Sequence, residues 1–238
     1  MQKAFITSCS AVIICLLAAC APKPAPPPPP PPAPPPVVYI PPRPAPPWGS
    51  AAGLAVPPLG ADGVRITLNT GISPAQTVWN LRSAYNVAAL NCLRPDHGDI
   101  LVGYKKLLNE HQKALAAANR KVDSESQKRF GSDWIRNRES YMTQVYNYYA
   151  YPATIPKFCE AALAMAREPM PSRSADLPSF AQRNLARLDV VFHEFYRAYE
   201  QYQADVAAWD AQYAPAPVPA AVASPETDLR AAPAGAAE

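Results

Sequence analysis

The sequence predicts an all-α protein, an up-down bundle of four to five antiparallel helices behind a proline-rich stalk and one short extended segment. Three observations carry that reading. Apolar residues recur at steps of three and four over long stretches of the middle of the chain, which places them on one face of a helix. The 31 prolines crowd the N-terminal quarter and the last residues, leaving the middle free to be helical. Those that remain in the middle punctuate the pattern, at Ser73-Pro74, Arg94-Pro95, Tyr151-Pro152 and Glu168-Pro169.

Ser73-Pro74 joins a capping side chain to a proline at the first helical position. Val78, Leu81, Tyr85, Ala88 and Cys92 then share a face, and Arg94-Pro95 ends this first helix. A second helix starts near Asp96 with the stripe Leu101, Tyr104, Leu108, His111, Leu115, Ala118 and Val122. Two breaks compete after it. Ser124-Glu125-Ser126-Gln127 has the spacing of a capping box, and Gly131-Ser132-Asp133 reads as a turn. The third helix carries Trp134, Tyr141, Val145 and Tyr148. A short fourth runs from about Pro156 to Arg167. The fifth repeats apolar or aromatic residues at Leu185, Leu188, Phe192, Phe195, Tyr199, Tyr202, Val206, Trp209 and Tyr213. So long a seam resembles one side of a coiled coil, and a helix from 177 to 213 would span about 55 Å. Short connections between consecutive helices make them antiparallel neighbours.

Upstream, Val64-Arg65-Ile66-Thr67-Leu68 alternates apolar and polar residues, the pattern of a short strand. No partner strand is evident, so an extended segment on the helices is expected, paired over two residues at most. From Pro22 to Pro47 most residues are proline. Such a run favours polyproline II at about 3.1 Å per residue and would reach about 80 Å, as a stiff spacer or a docking site for a proline-reading partner. The Ala/Pro-rich stretch from about Ala214 onward is expected to be disordered.

Residues 1–20 read MQKAFITSCSAVIICLLAAC. Lys3 gives a positive start, an apolar run follows, and small residues close it before a cysteine, which is the form of a secretory signal. The apolar run is shorter than the roughly 20 residues that span a bilayer. Leu17-Ala18-Ala19-Cys20 resembles the lipobox of the bacterial lipoprotein class. The resemblance implies cleavage before Cys20 and acylation of that residue on sulfur and amine. Two or more acyl chains anchor stably, since each buried methylene contributes about 0.8 kcal/mol. Residue 21 is Ala and not the Asp that tends to retain members of this class at the inner membrane, which implies the outer membrane, facing the periplasm. Within the folded part, Leu81 to Leu93 broadly resembles helical lipoproteins of alphaproteobacteria, a likeness that implies no activity.

Five cysteines occur, and Cys9 and Cys15 precede the expected cleavage site. Cys92 and Cys159 remain in the helical region, and a pair in an exported protein reads as a disulfide. Their positions agree. In up-down order the end of helix one and the start of helix four share a pole. Two buried free thiols are the alternative.

The chain offers little for chemistry. Its formal charge of +3 is scattered, and the basic footprint of a nucleic-acid binder is missing. Of three histidines, His97 reads as a surface cap, His111 as a satisfied core residue, and His193-Glu194 as an incomplete metal helix, because Arg197 stands where the second histidine belongs. Covalent haem lacks its Cys-x-x-Cys-His motif, and no cofactor or metal is expected. Glu139-Ser140 matches the opening of a lytic transglycosylase motif, but its glycine-rich continuation is absent. Tyr146, Tyr148, Tyr149 and Tyr151 form the most unusual cluster. Consecutive tyrosines cannot all face one core, so an interaction surface competes with plain packing.

The expected organisation is a signal peptide over 1–19, a lipidated Cys20 and proline-rich linker over 20–60, an extended segment over 61–72, the bundle over 73–213 and a tail over 214–238. The functional expectation is a structural or interaction lipoprotein, held to the membrane through Cys20 and presenting its bundle to an envelope protein. A binding module for a small apolar or glycan ligand between aromatic-lined helices is the alternative, and an enzyme without a recognised motif is the third.

Overall fold

A proline or a left-handed glycine marks each break between the long helices except the one at His111. In a computed structural model, which describes residues 39–213, Ser73 opens α1 (Pro74–Asn91) by accepting the Gln76 amide at 3.1 Å, with Pro74 at the first position. The lipobox, the first part of the proline run and the tail lie outside the described residues. α2 (Gly98–Glu110) and α3 (Gln112–Phe130) follow, then α4 (Trp134–Tyr149), α5 (Ile155–Ala166) and α6 (Leu177–Tyr213).

The stripe expected as one second helix is interrupted at His111, where φ −115° and ψ 21° leave the helical region. The His111 ring is buried and its Nε2 lies 2.9 Å from the Pro171 carbonyl, so a tertiary contact made across the bundle sits at the kink. The next break falls at Gly131, whose φ of +56° suits glycine, while Ser124 stays inside α3. The stripe itself is displaced by one residue at its start. Ile100 is buried and Leu101 is 46% exposed.

Counting α2 and α3 as one kinked rod, consecutive helices alternate in direction. Arg138 of α4 reaches Asn119 and Asp123 of α3, while Trp134 is met by Ser126, so positions rise on one helix as they fall on the other. Lys157 with Glu194, and Asn184 with Glu168 just beyond α5, set the same relation between α5 and α6. α1 contacts every other helix. It is buried on several faces at once, at Val78, Asn80, Leu81, Ser83, Ala84, Tyr85, Val87 and Ala88, and so serves as the centre of the bundle. Aromatic rings fill the junction of α4, α5 and α6. Tyr148 stacks on Phe192 with centroids 4.0 Å apart, and Tyr149 on Phe158 at 5.6 Å. Such pairs each add about 0.5–1.5 kcal/mol beyond the area they bury.

The segment before α1 differs from a free spacer. Over residues 41–70 it lies along α6. Trp209 Nε1 donates to the Pro41 carbonyl at 2.8 Å, and Arg43 pairs with Asp210 at 2.7 Å. Trp48 takes φ 54°, a left-handed conformation that costs about 1–2 kcal/mol for a residue with a Cβ. It thereby seats its ring 5.3 Å from Phe195 and under Lys157 Nζ at 4.1 Å. Leu59 and Arg65 form an isolated antiparallel bridge, the pairing expected at most. The alternation of 64–66 is inverted from the usual reading. Arg65 is 4% exposed, while Val64 and Ile66 face outward at 50% and 46%. The Arg65 guanidinium explains the inversion, since it bonds the Pro57 carbonyl and Glu200 and lies over the Tyr196 ring.

Candidate functional site

Among the described residues three places bring functional side chains together, and the first is the pole holding the cysteines. Cys92 closes α1, its amide bonding the Ala88 carbonyl, and Cys159 lies in the second turn of α5. The two form a disulfide with Cα atoms 5.5 Å apart. Both are buried. His97, expected at the surface, is instead 2% exposed, because the turn at Pro95–His97 folds its ring in beside the bond. One ring nitrogen and both sulfurs lie within 4.8 Å of one another. Nε2 is 3.4 Å from Glu160 Oε1, and Nδ1 has no hydrogen-bond partner. Glu160 is steadied by Arg94 at 3.2 Å, which also pairs with Asp96.

The second place is a buried polar network where the N-terminal segment meets α1, α4 and α6. Asn69 Nδ2 donates to Asp189 Oδ1 at 2.8 Å and to the Tyr149 hydroxyl at 2.7 Å. Asn80 Nδ2 donates to Asn69 Oδ1 and to the Tyr141 hydroxyl, both at 2.8 Å, and that hydroxyl donates to the Leu68 carbonyl. Tyr148 donates to Asp189 at 3.3 Å. Burial pushes the Asp189 carboxyl up to about 6, against the opposing pull of the Asn69 and Tyr148 hydrogen bonds. Neither Asn80 nor Asp189 was singled out from sequence. A signal existed for Asp189. It lies four residues after Leu185 and three before Phe192, on the apolar stripe itself.

The tyrosine run falls within this region, where packing accounts for Tyr149 and for part of each of the other rings. Tyr149 is 1% exposed, and Tyr146, Tyr148 and Tyr151 are half-buried. Tyr146 accepts from Arg82 at 3.0 Å, and Tyr151 packs on Phe195 with centroids 5.4 Å apart. Helical spacing does not allow four such residues to share one face, but here α1, α6 and the N-terminal segment surround α4 and take up different sides of it. Loss of Tyr149 is therefore expected to lower stability.

The third place is the far end of α6. Buried positions on this helix stop at Tyr199, while the seam continues through Tyr202, Val206, Trp209 and Tyr213. The proline-rich segment covers this continuation. The Tyr199 hydroxyl donates to the Ala51 carbonyl and accepts the Leu54 amide, each at 2.9 Å. Aromatic residues donating to carbonyls of a proline-rich chain are a recurrent way of recognising such chains.

Clefts at the surface are lined by mixed groups. One of about 390 Å³ lies among the 67–73 segment, α1, α3 and α4, with Glu125, Arg129, Asn137 and Arg138 beside Phe130 and Tyr141. Glu139, the carboxylate of the Glu-Ser pair, is outside that lining and pairs with Arg138. His193 is half-buried, and burial together with Arg65 and Arg197 holds its ring below the usual histidine range. Fold and sites together define a disulfide-closed all-α bundle with a proline-rich segment bound along its longest helix. Comparison with protein-family models, curated proteins and solved structures finds no match.

Proposed function

We propose that the protein is a cell-envelope lipoprotein of structural or protein-interaction type, lipidated at Cys20 on the periplasmic face of the outer membrane and presenting its bundle to an envelope protein. The observation that carries this reading is the Cys92–Cys159 disulfide. Such bonds persist in oxidising compartments, which agrees with a secretory leader ending in a lipobox. The filled core supports interaction over small-ligand binding. The aromatic rings that would line a ligand cavity pack on one another at 4.0–5.7 Å. Apolar side chains stand outward on the N-terminal segment at Leu59, Val64 and Ile66, where a protein partner would find them.

The test is fractionation of the full chain, tagged at its C-terminus and expressed in a Gram-negative host, beside its Cys20→Ser variant. The wild-type chain is expected in the outer-membrane fraction and the variant outside it. Equal partitioning of the two would overturn the anchor. Crosslinking in the same cells is expected to join the anchored chain to an envelope protein in a fixed ratio. A chain that remains uncrosslinked would remove the interaction role.

A further inference from the structure

We infer that the disulfide pole is a redox-gated zinc site, closed when Cys92 and Cys159 are joined and able to take a divalent zinc ion once they are reduced. The inference starts from His97. A disulfide needs no imidazole beside it, yet the turn after α1 buries this ring, at 2% exposure, within 4.8 Å of both sulfurs. Its Nε2 faces Glu160 at 3.4 Å, and the remaining nitrogen, Nδ1, is buried without a partner. A ring held on one nitrogen by a carboxylate, with the other left free, has the arrangement common to metal-bound histidines. Two thiolates and one imidazole suit zinc, with solvent in a fourth position.

The distances are compatible. Zinc–sulfur bonds of about 2.3 Å place two tetrahedral sulfurs about 3.8 Å apart, so the ligands need only open from the bonded state. The charges agree too. Two thiolates neutralise the ion inside a buried site, and Arg94 at 3.2 Å offsets the Glu160 carboxylate behind the ring. Reduction by a dithiol delivers two electrons and two protons to the sulfurs and leaves the dithiol as a disulfide. Zinc then replaces the two thiol protons and keeps its oxidation state. Nothing in this depends on the lipid anchor.

The experiment uses the full chain, oxidised or reduced with a dithiol and then freed of it by anaerobic gel filtration. Cobalt(II) is added as a coloured stand-in for zinc, and zinc affinity is measured by competition with a chromogenic chelator. The reduced chain is expected to bind one metal per molecule with a thiolate-to-cobalt charge-transfer band, and the oxidised chain none. Cys159→Ser should abolish the band. His97→Gln and Glu160→Gln should each weaken zinc by at least about tenfold. Glu160 is exposed, so its variant keeps the test open should His97→Gln not fold. A reduced chain that takes no metal, an oxidised chain that takes as much, or unchanged affinity in the foldable variants would overturn the site. So would a reduced chain whose helical circular dichroism is lost and does not return with zinc.

Discussion

Asp189 is 9% exposed and ties the N-terminal segment to α4 and α6 through Asn69 and Tyr148. Burial raises its carboxyl from 3.8 to about 6, so between these values the folded chain holds a proton that the unfolded chain has lost. The stability linked to this proton is full below the unfolded value and is lost as pH rises through the folded one. At about 1.4 kcal/mol per unit the effect is about 3 kcal/mol. Asp189→Asn, which cannot ionise, is expected to melt higher than wild type at about pH 7.5, with the advantage shrinking by about pH 4.5. Thermal unfolding of both chains at the two pH values checks this. An equal difference at both would show that Asp189 ionises in the fold as it does in water. Little of this was legible in the sequence. A lone aspartate on an apolar stripe can be read as a register slip, and its partners Asn69 and Tyr148 lie 120 and 41 residues away.

At the scale of the elements, α1 and α2 approach closely where Gly103 faces the Tyr85 ring. A Cβ at this glycine would collide with the Tyr85 hydroxyl, which is buried without a partner. Gly103→Ala is expected to destabilise by about 1–3 kcal/mol, as overpacking does. Tyr85→Phe should be neutral or stabilising, since it removes an unpaired buried hydroxyl that costs about 1–3 kcal/mol. Combined, the two should lose less than their sum. Additive midpoints in urea unfolding would deny the contact. The disulfide joins α1 to α5 across a separation of 67 residues, and the loop-entropy model gives it about 4 kcal/mol. Replacing both cysteines by serine should lower the urea midpoint accordingly, and an unchanged midpoint would contradict that role. Helix starts and stops were mostly legible here because proline and glycine act locally. α6 spans Leu177–Tyr213, the interval its periodicity predicts. The kink at His111 was not, because the carbonyl its ring meets lies sixty residues further on. The centrality of α1 was hidden as well. Its expected stripe is buried, but so are Asn80, Ser83, Ala84 and Val87 on other faces, two of them polar.

For the whole molecule, the proline-rich segment is both a connection and a part of the fold. The sequence marked its composition, which forbids helix and ladder, but not its destination on α6. That depends on single anchors such as Trp48 on Phe195 and Trp209 on the Pro41 carbonyl. Trp209→Ala is expected to loosen residues 41–50 while leaving the helical core intact. Chymotrypsin should then cut after Trp48 several times faster, with the melting temperature little changed. Equal cleavage would mean that the segment is held elsewhere. We propose that this fold is carried on lipid at Cys20. Mass spectrometry of the N-terminal peptide from the full chain, made in a Gram-negative host, tests it most directly. The expected result is a peptide that begins at Cys20 and carries the mass of a diacylglyceryl group and a third acyl chain. A peptide that retains residues before Cys20, or begins there without lipid, would contradict it.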